Sequence, residues 1–192
     1  MRNLSILVVA ATLGFPAMAF AGDYGTTGAT EVGGGVSIQS VSYTYKPKGS
    51  STDNTTSTTA ITLAPEVGYF VMDQIELVGR LALTNTNTEG FNTTGFGLGV
   101  GAAYLLPMNG IHVGPKATLG FSSTTYSEDE FSATLSGPVI NIEGVAKVPF
   151  GTGGVLGAGL GLTYAPQTIS GDVEGSQTVT GFGLATSFSV FW

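Results

Sequence analysis

From Ala60 to Thr84 the chain alternates apolar and polar residues with a period of two, the period of a β-strand whose faces meet different surroundings. Ile61, Leu63, Val67, Tyr69 and Val71 share one parity, and Ile75, Leu77, Leu81 and Leu83 resume the alternation after the polar break Met72-Asp73-Gln74. A break that short predicts a hairpin turn. Centred on Asp73, it sets Glu66 directly opposite Arg80, within reach of a cross-strand ion pair. The same alternation recurs along the chain. A first strand is predicted over Thr30–Tyr45, with a parity switch near Gln39 and Ser40 that implies a bulge. A fourth, Gly95–Leu106, sets Gly95, Gly97, Gly99 and Gly101 against Phe96, Leu98, Val100 and Tyr104, and a fifth covers Ile111–Phe121. The sixth, Phe131–Val148, changes parity near Gly137-Pro138; the seventh is Val155–Ala165, and the eighth ends the chain at Trp192. The polar stretches Lys46–Thr58, Asn85–Thr94, Ser122–Glu130 and Pro166–Gln177 are predicted to be long exposed loops, alternating with tight turns. That rhythm describes an up-and-down meander with the long loops at one end and the turns and both termini at the other.

Which face meets which solvent decides the class of protein. Charged residues make up 10% of the chain and Gly accounts for 30 positions, a poor basis for a water-facing surface when soluble domains carry about 25% charge. Facing the bulky side chains inward would crowd so narrow a barrel and leave a wall of glycine in water. Facing them outward onto lipid fits the volumes. No apolar run after the N-terminus approaches the length of a spanning helix, so an integral membrane protein of this sequence has to be a β-barrel. The expected fold is all-β, an eight-stranded antiparallel up-and-down transmembrane β-barrel with a polar, plugged interior. Glu66, Glu76, Arg80, Lys116, Glu143 and Lys147 then form a lumen charge network in which buried charges of both signs pair. A one-residue slip would put its three bases on lipid at about 2–4 kcal/mol each near the midplane, so the register is strongly specified. Aromatic residues cluster near predicted strand ends: Tyr43, Tyr45, Phe96, Phe121, Phe131, Tyr164 and Phe182 toward the loops, and Tyr69, Tyr104, Phe188 and Trp192 toward the turns. They are expected to form two interfacial girdles. Pro65, Pro115 and Pro138 each remove a ladder donor, and local bulges are expected there.

The N-terminal stretch MRNLSILVVAATLGFPAMAFA has a positive start at Arg2, an apolar run from Leu4 to Phe15, and small residues at Ala17, Ala19 and Ala21. It reads as a secretory signal peptide over residues 1–21, leaving residues 22–192 as the barrel domain. Its removal takes Arg2 with it and leaves 5 basic against 13 acidic residues, a net charge of −8. Nucleic acid is excluded as a partner because there are too few bases to build a basic stripe. With no cysteine, the exported fold is held without disulfides.

These features, with PEVGYFVMDQIEL at the first hairpin, the glycine-alternating strands and the terminal FSVFW, resemble the small Gram-negative outer-membrane barrels of the OmpA/OmpX type. The resemblance implies residence in the outer membrane and contact with its lipid and lipopolysaccharide. It also implies that Phe188, Val190 and Trp192 form the insertion signal read by the barrel-assembly machinery. It implies a non-enzymatic, surface-exposed role in envelope integrity, adhesion or contact with an extracellular or host surface partner, with no cofactor, metal or catalytic residue. The alternative is a narrow channel or transporter for small or hydrophobic solutes, like the OmpW-type barrels. A third option comes from superfamily members that act on lipid A with a His near the outer rim. The single His here, His112, follows a tight turn and is expected at the periplasmic end, away from such chemistry.

Overall fold

The computed structural model describes residues 23–47, 54–88, 91–128 and 131–192; the predicted signal peptide lies outside them. Nine strands follow one another: β1 (Thr30–Pro47), β2 (Asn54–Met72), β3 (Ile75–Thr88), β4 (Phe91–Tyr104), β5 (Leu106–Met108), β6 (Ile111–Glu128), β7 (Phe131–Phe150), β8 (Gly154–Gly171) and β9 (Gly175–Phe191). β4 and β5 are two pieces of one stave, parted at Leu105 and both paired with β6. Every neighbouring pair is antiparallel, and β1 pairs β9 from Glu31 opposite Phe191 to Pro47 opposite Gly175. The sheet therefore closes on itself as an eight-staved barrel with no free edge.

Below the level of Ser40 the outward faces are apolar. On β8 the exposed outward residues run from Leu156 through Leu160 and Leu162 to Tyr164, and on β4 from Tyr104 through Val100 and Leu98 to Phe96. At about 3.3 Å per residue these spans measure about 27 Å along the strand, close to what a tilted strand needs to cross a hydrocarbon core. Phe96, Phe121, Tyr164 and Phe182 ring the upper edge of this belt, and Tyr69, Tyr104, Phe150, Phe188 and Trp192 ring the lower. Tyr45, expected in the upper girdle, instead turns inward against a buried cluster. The side chains of Tyr43 and Phe131 lie outside the described residues.

Three further sequence expectations are corrected. The polar stretches expected as loops are largely strand: β1 and β2 pair out to Tyr45 opposite Asn54, and Gly171 and Gly175 leave only a short connection between β8 and β9. Thr and Ser read as loop composition, but Thr is β-branched and suits a pleated surface. The bulge expected near Gln39 and Ser40 is absent, for β1 keeps one register along its whole length on both sides. What changes there is polarity: Val41 is buried inside while Ser40 and Thr59 face out. The prolines interrupt pairing without shifting it. Pairing skips from Leu63 opposite Leu83 to Glu66 opposite Arg80 around Pro65, and from Ala103 opposite Lys116 to Leu106 opposite Val113 around Pro115. Between Ser136 opposite Thr168 and Ile140 opposite Tyr164 the register is kept, and Pro138 faces Pro166 across the gap. Two residues without N–H thus share one missing rung. The one register shift between β2 and β3 falls beside the turn, between Phe70 and Met72.

Candidate functional site

Inside the belt, the staves present Gly, Ala and Ser with charged side chains rising among them. The glycines make room: a Cβ on Gly68 would collide with the carboxylate of Glu76 on the adjoining stave. In that space most of the ion pairs reach across the lumen between staves that are not neighbours, whereas Lys116 and Glu143 also face each other in the β6–β7 ladder. Arg80 on β3 donates to Glu143 on β7 at 3.2 Å, and Lys116 on β6 lies 2.9 Å from the other oxygen of Glu143 and 3.1 Å from Glu66 on β2. Nearer the turns, Lys147 on β7 lies 2.8 Å from Glu31 on β1 and 3.0 Å from Glu76 on β3. All six predicted lumen charges point inward, and Glu66 stands opposite Arg80 in the ladder. Glu76 is 1% and Lys147 4% exposed, a depth at which an unpaired charge is not tolerated.

Sequence reasoning missed Glu31, Tyr24 and Ser189. Glu31 accepts hydrogen bonds from the Tyr24 hydroxyl, the Ser189 hydroxyl and the Lys147 amine, so among the described residues four lumen carboxylates face three cations. The signal for Glu31 was available, since it shares parity with Gly33, Gly35 and Ser37 on the small-residue face. It escaped because the strand was grouped by its apolar positions. A cavity of about 50 Å³ lies among these groups, room for only a few water molecules. Ser37 lines it, with its hydroxyl buried and unpartnered among the described residues.

Above the charges the interior changes character. Asn141 donates to Thr118 and accepts from Thr163, and Gln167 donates to Ser122. Higher still, Ala133, Leu135 and Ile169 are buried together under Tyr45 and Tyr126. The outward residues at that height are hydroxyls, and Ser42 bonds Ser57 at 2.9 Å across the ladder while Thr125 bonds Thr134 at 3.2 Å. The outer part of the barrel is thus built like a water-soluble one, apolar inside and polar outside, in series with a membrane-type barrel of opposite polarity.

At the turn end, Asp23–Ala29 fold across the mouth. The amide and then the hydroxyl of Thr27 donate to Asp73, at 2.9 and 2.7 Å, which holds that carboxyl below its ordinary range. His112 sits at this end with its ring edge-on to Tyr24. Phe188 faces outward, Val190 is half-buried, and Trp192 exchanges backbone hydrogen bonds with Thr30. Among the described residues no group of three or more His, Asp or Glu side chains is arranged to hold a metal ion.

No family model matches the chain, and no curated protein matches it in sequence. Solved structures do match it in fold. Neisserial surface protein A is 11% identical, with a TM-score of 0.58 over 82% of this chain and 96% of that one. The outer-membrane protein OprG from Pseudomonas aeruginosa is 14% identical, with a TM-score of 0.53 over 87% of this chain and 97% of that one. The outer-membrane protease OmpT from Escherichia coli is 7% identical at a TM-score of 0.43, too distant to bear on activity. The fold is that of the small barrels of Gram-negative outer membranes.

Proposed function

We propose that this outer-membrane barrel does no enzymatic chemistry. It acts as a closed anchor that raises a hydroxyl-walled extension and its surface turns above the membrane, for envelope integrity, adhesion or contact with an extracellular or host partner. The observation that carries this reading is the set of ion pairs spanning the lumen between non-adjacent staves. Opening a path for solutes would separate charges buried in a low-dielectric interior, and breaking even one such pair is strongly destabilising. An eight-stranded barrel has an interior only wide enough for side chains in any case.

In this reading lipid surrounds the belt, and the polar part of lipopolysaccharide surrounds the wall above it. That wall is lined by uncharged hydroxyls such as Thr59, Thr168 and Ser170. Phe188, Val190 and Trp192 lie on the last strand and at its end, where they form the insertion signal for the barrel-assembly machinery. Support for a surface role comes from the upper barrel, which has no use in anchoring alone, and from the likeness in fold to a protein named as a surface protein. His112 stands at the turn end, remote from the outer leaflet where lipid A chemistry takes place.

The test is conductance in planar bilayers. Purified protein inserted with its heat-modifiable gel mobility intact is expected to give no steady openings. Regular unitary currents would replace the closed anchor with the narrow-channel reading.

A further inference from the structure

The segment Asp23–Ala29 crosses the turn-side mouth of the barrel and is not part of its wall. The wall is complete without it, because β1 already pairs β9 from Glu31 opposite Phe191 and β2 from Thr30 opposite Tyr69. Tyr24 is driven into the mouth, edge-on to Phe70, His112 and Phe191 at ring separations of 5.3, 4.9 and 5.1 Å. Beneath it Phe70, Ala103, Leu105 and Val155 are at most 2% exposed. These apolar side chains point inward at the turn end, below the polar charged layer of the lumen, and the segment covers them on the open side.

Beyond the packing of Tyr24 and Ala29 into this cluster, its fastenings are hydrogen bonds. Thr27 is held by Asp73 from outside the mouth and Tyr24 by Glu31 from within. Backbone hydrogen bonds run from Gln74 to the Gly25 carbonyl and from Gly28 to the Phe70 carbonyl, each at 2.8 Å. Gly25 and Gly28 both have positive φ, +87° and +91°, a conformation that favours glycine. Among the described residues nothing stands within 4 Å of where a side chain on Gly28 would begin, and just beyond it the Phe70 amide donates to the Ala29 carbonyl at 2.9 Å, which fixes that end of the segment to β2.

We propose that Asp23–Ala29 is a gate hinged at Gly28, and that its release opens the lower chamber of the lumen to the periplasm. The layer formed by Arg80, Glu143, Lys116 and Glu66 stays shut above it. The chamber it uncovers holds Glu31 and Glu76 against the single amine of Lys147, so it admits water and small cations in preference to anions. The inference rests on the barrel being membrane-inserted with its turns toward the periplasm. It does not rest on the absence of a surface partner.

The chain has no native cysteine, which makes thiol labelling a clean test. Single cysteines are placed beneath the gate with Ala103→Cys and in the outer half of the lumen with Val41→Cys, where the native residues are 2% and 4% exposed. A small charged maleimide is added on the turn side of oriented proteoliposomes. With the gate intact, both sites should be protected. With Asp73→Ala, or separately Tyr24→Ala, the Ala103→Cys site should label about tenfold faster or more, the effect of losing at least one charge-assisted hydrogen bond, while the Val41→Cys site stays protected. Equal labelling of the Ala103→Cys site with and without the anchors overturns the gate. Exposure of both sites together also overturns it, by showing that the barrel opens as a whole. Channel currents in the wild type would overturn the closed-anchor reading and leave this comparison standing.

Discussion

Lys147 is the residue on which the lower lumen depends. Its amine is the partner of both Glu31 and Glu76, and it sits within 6.0 Å of the Tyr24 ring centroid. Lys147→Met would leave two buried carboxylates without their cation, at about 3–5 kcal/mol of stability. Urea unfolding in lipid vesicles should register that loss, and adding Glu76→Gln should recover part of it. A full-strength Lys147→Met barrel would mean the pairs are incidental. Asp73, on the exposed turn, gives a pH prediction. Its folded pKa lies below the ordinary value of 3.8 because the Thr27 amide, and then its hydroxyl, donate to the ionised form. A lowered folded pKa means the clasp contributes stability above the unfolded value and loses it as pH falls through the folded one. Asp73→Asn should therefore weaken protection beneath the gate at neutral pH, and the difference from wild type should disappear below the range in which Asp73 ionises. A difference that persists there would deny the carboxylate its role.

At the scale of single staves, β1, β7 and β8 change the polarity of their faces partway along. On β8, Leu160 and Leu162 face outward in the belt, and Thr168 and Ser170 face outward above it; Ala165 and Ile169 face inward where Gly157 and Gly159 did lower down. A strand repeats every two residues whatever its surroundings, so this inversion needs no bulge and marks the height at which lipid ends. Leu160→Arg should cost about 2–4 kcal/mol, as for a cation near the bilayer midplane. Thr168→Arg on the same strand should fall within about 0.5 kcal/mol of wild type. Urea titrations in vesicles of one lipid compare the two, and similar penalties would mean that both positions lie in lipid.

For the molecule as a whole, closure follows from the alternation of strand and turn, because a membrane barrel tolerates no free edge. The strand count, the antiparallel meander, the outward belt and the inward placement of six charges were legible in the residues, since each is a matter of parity and spacing within one strand or one hairpin. Glu66 opposite Arg80 shows this well: the turn length alone sets it. The choice of ion-pair partner was not legible. Arg80 reaches Glu143 and Lys147 reaches Glu31 because staves far apart in sequence face each other across the lumen, and no local pattern encodes that distance. The same holds for Tyr24, which in the sequence belongs to a polar lead and in the barrel fills the mouth. Periodicity told the chain which way each side chain points; only closing the sheet into a tube decided which distant staves it meets, because the pairs of Arg80 with Glu143, Lys116 with Glu66, and Lys147 with Glu31 and Glu76 join strands that the ladder never pairs.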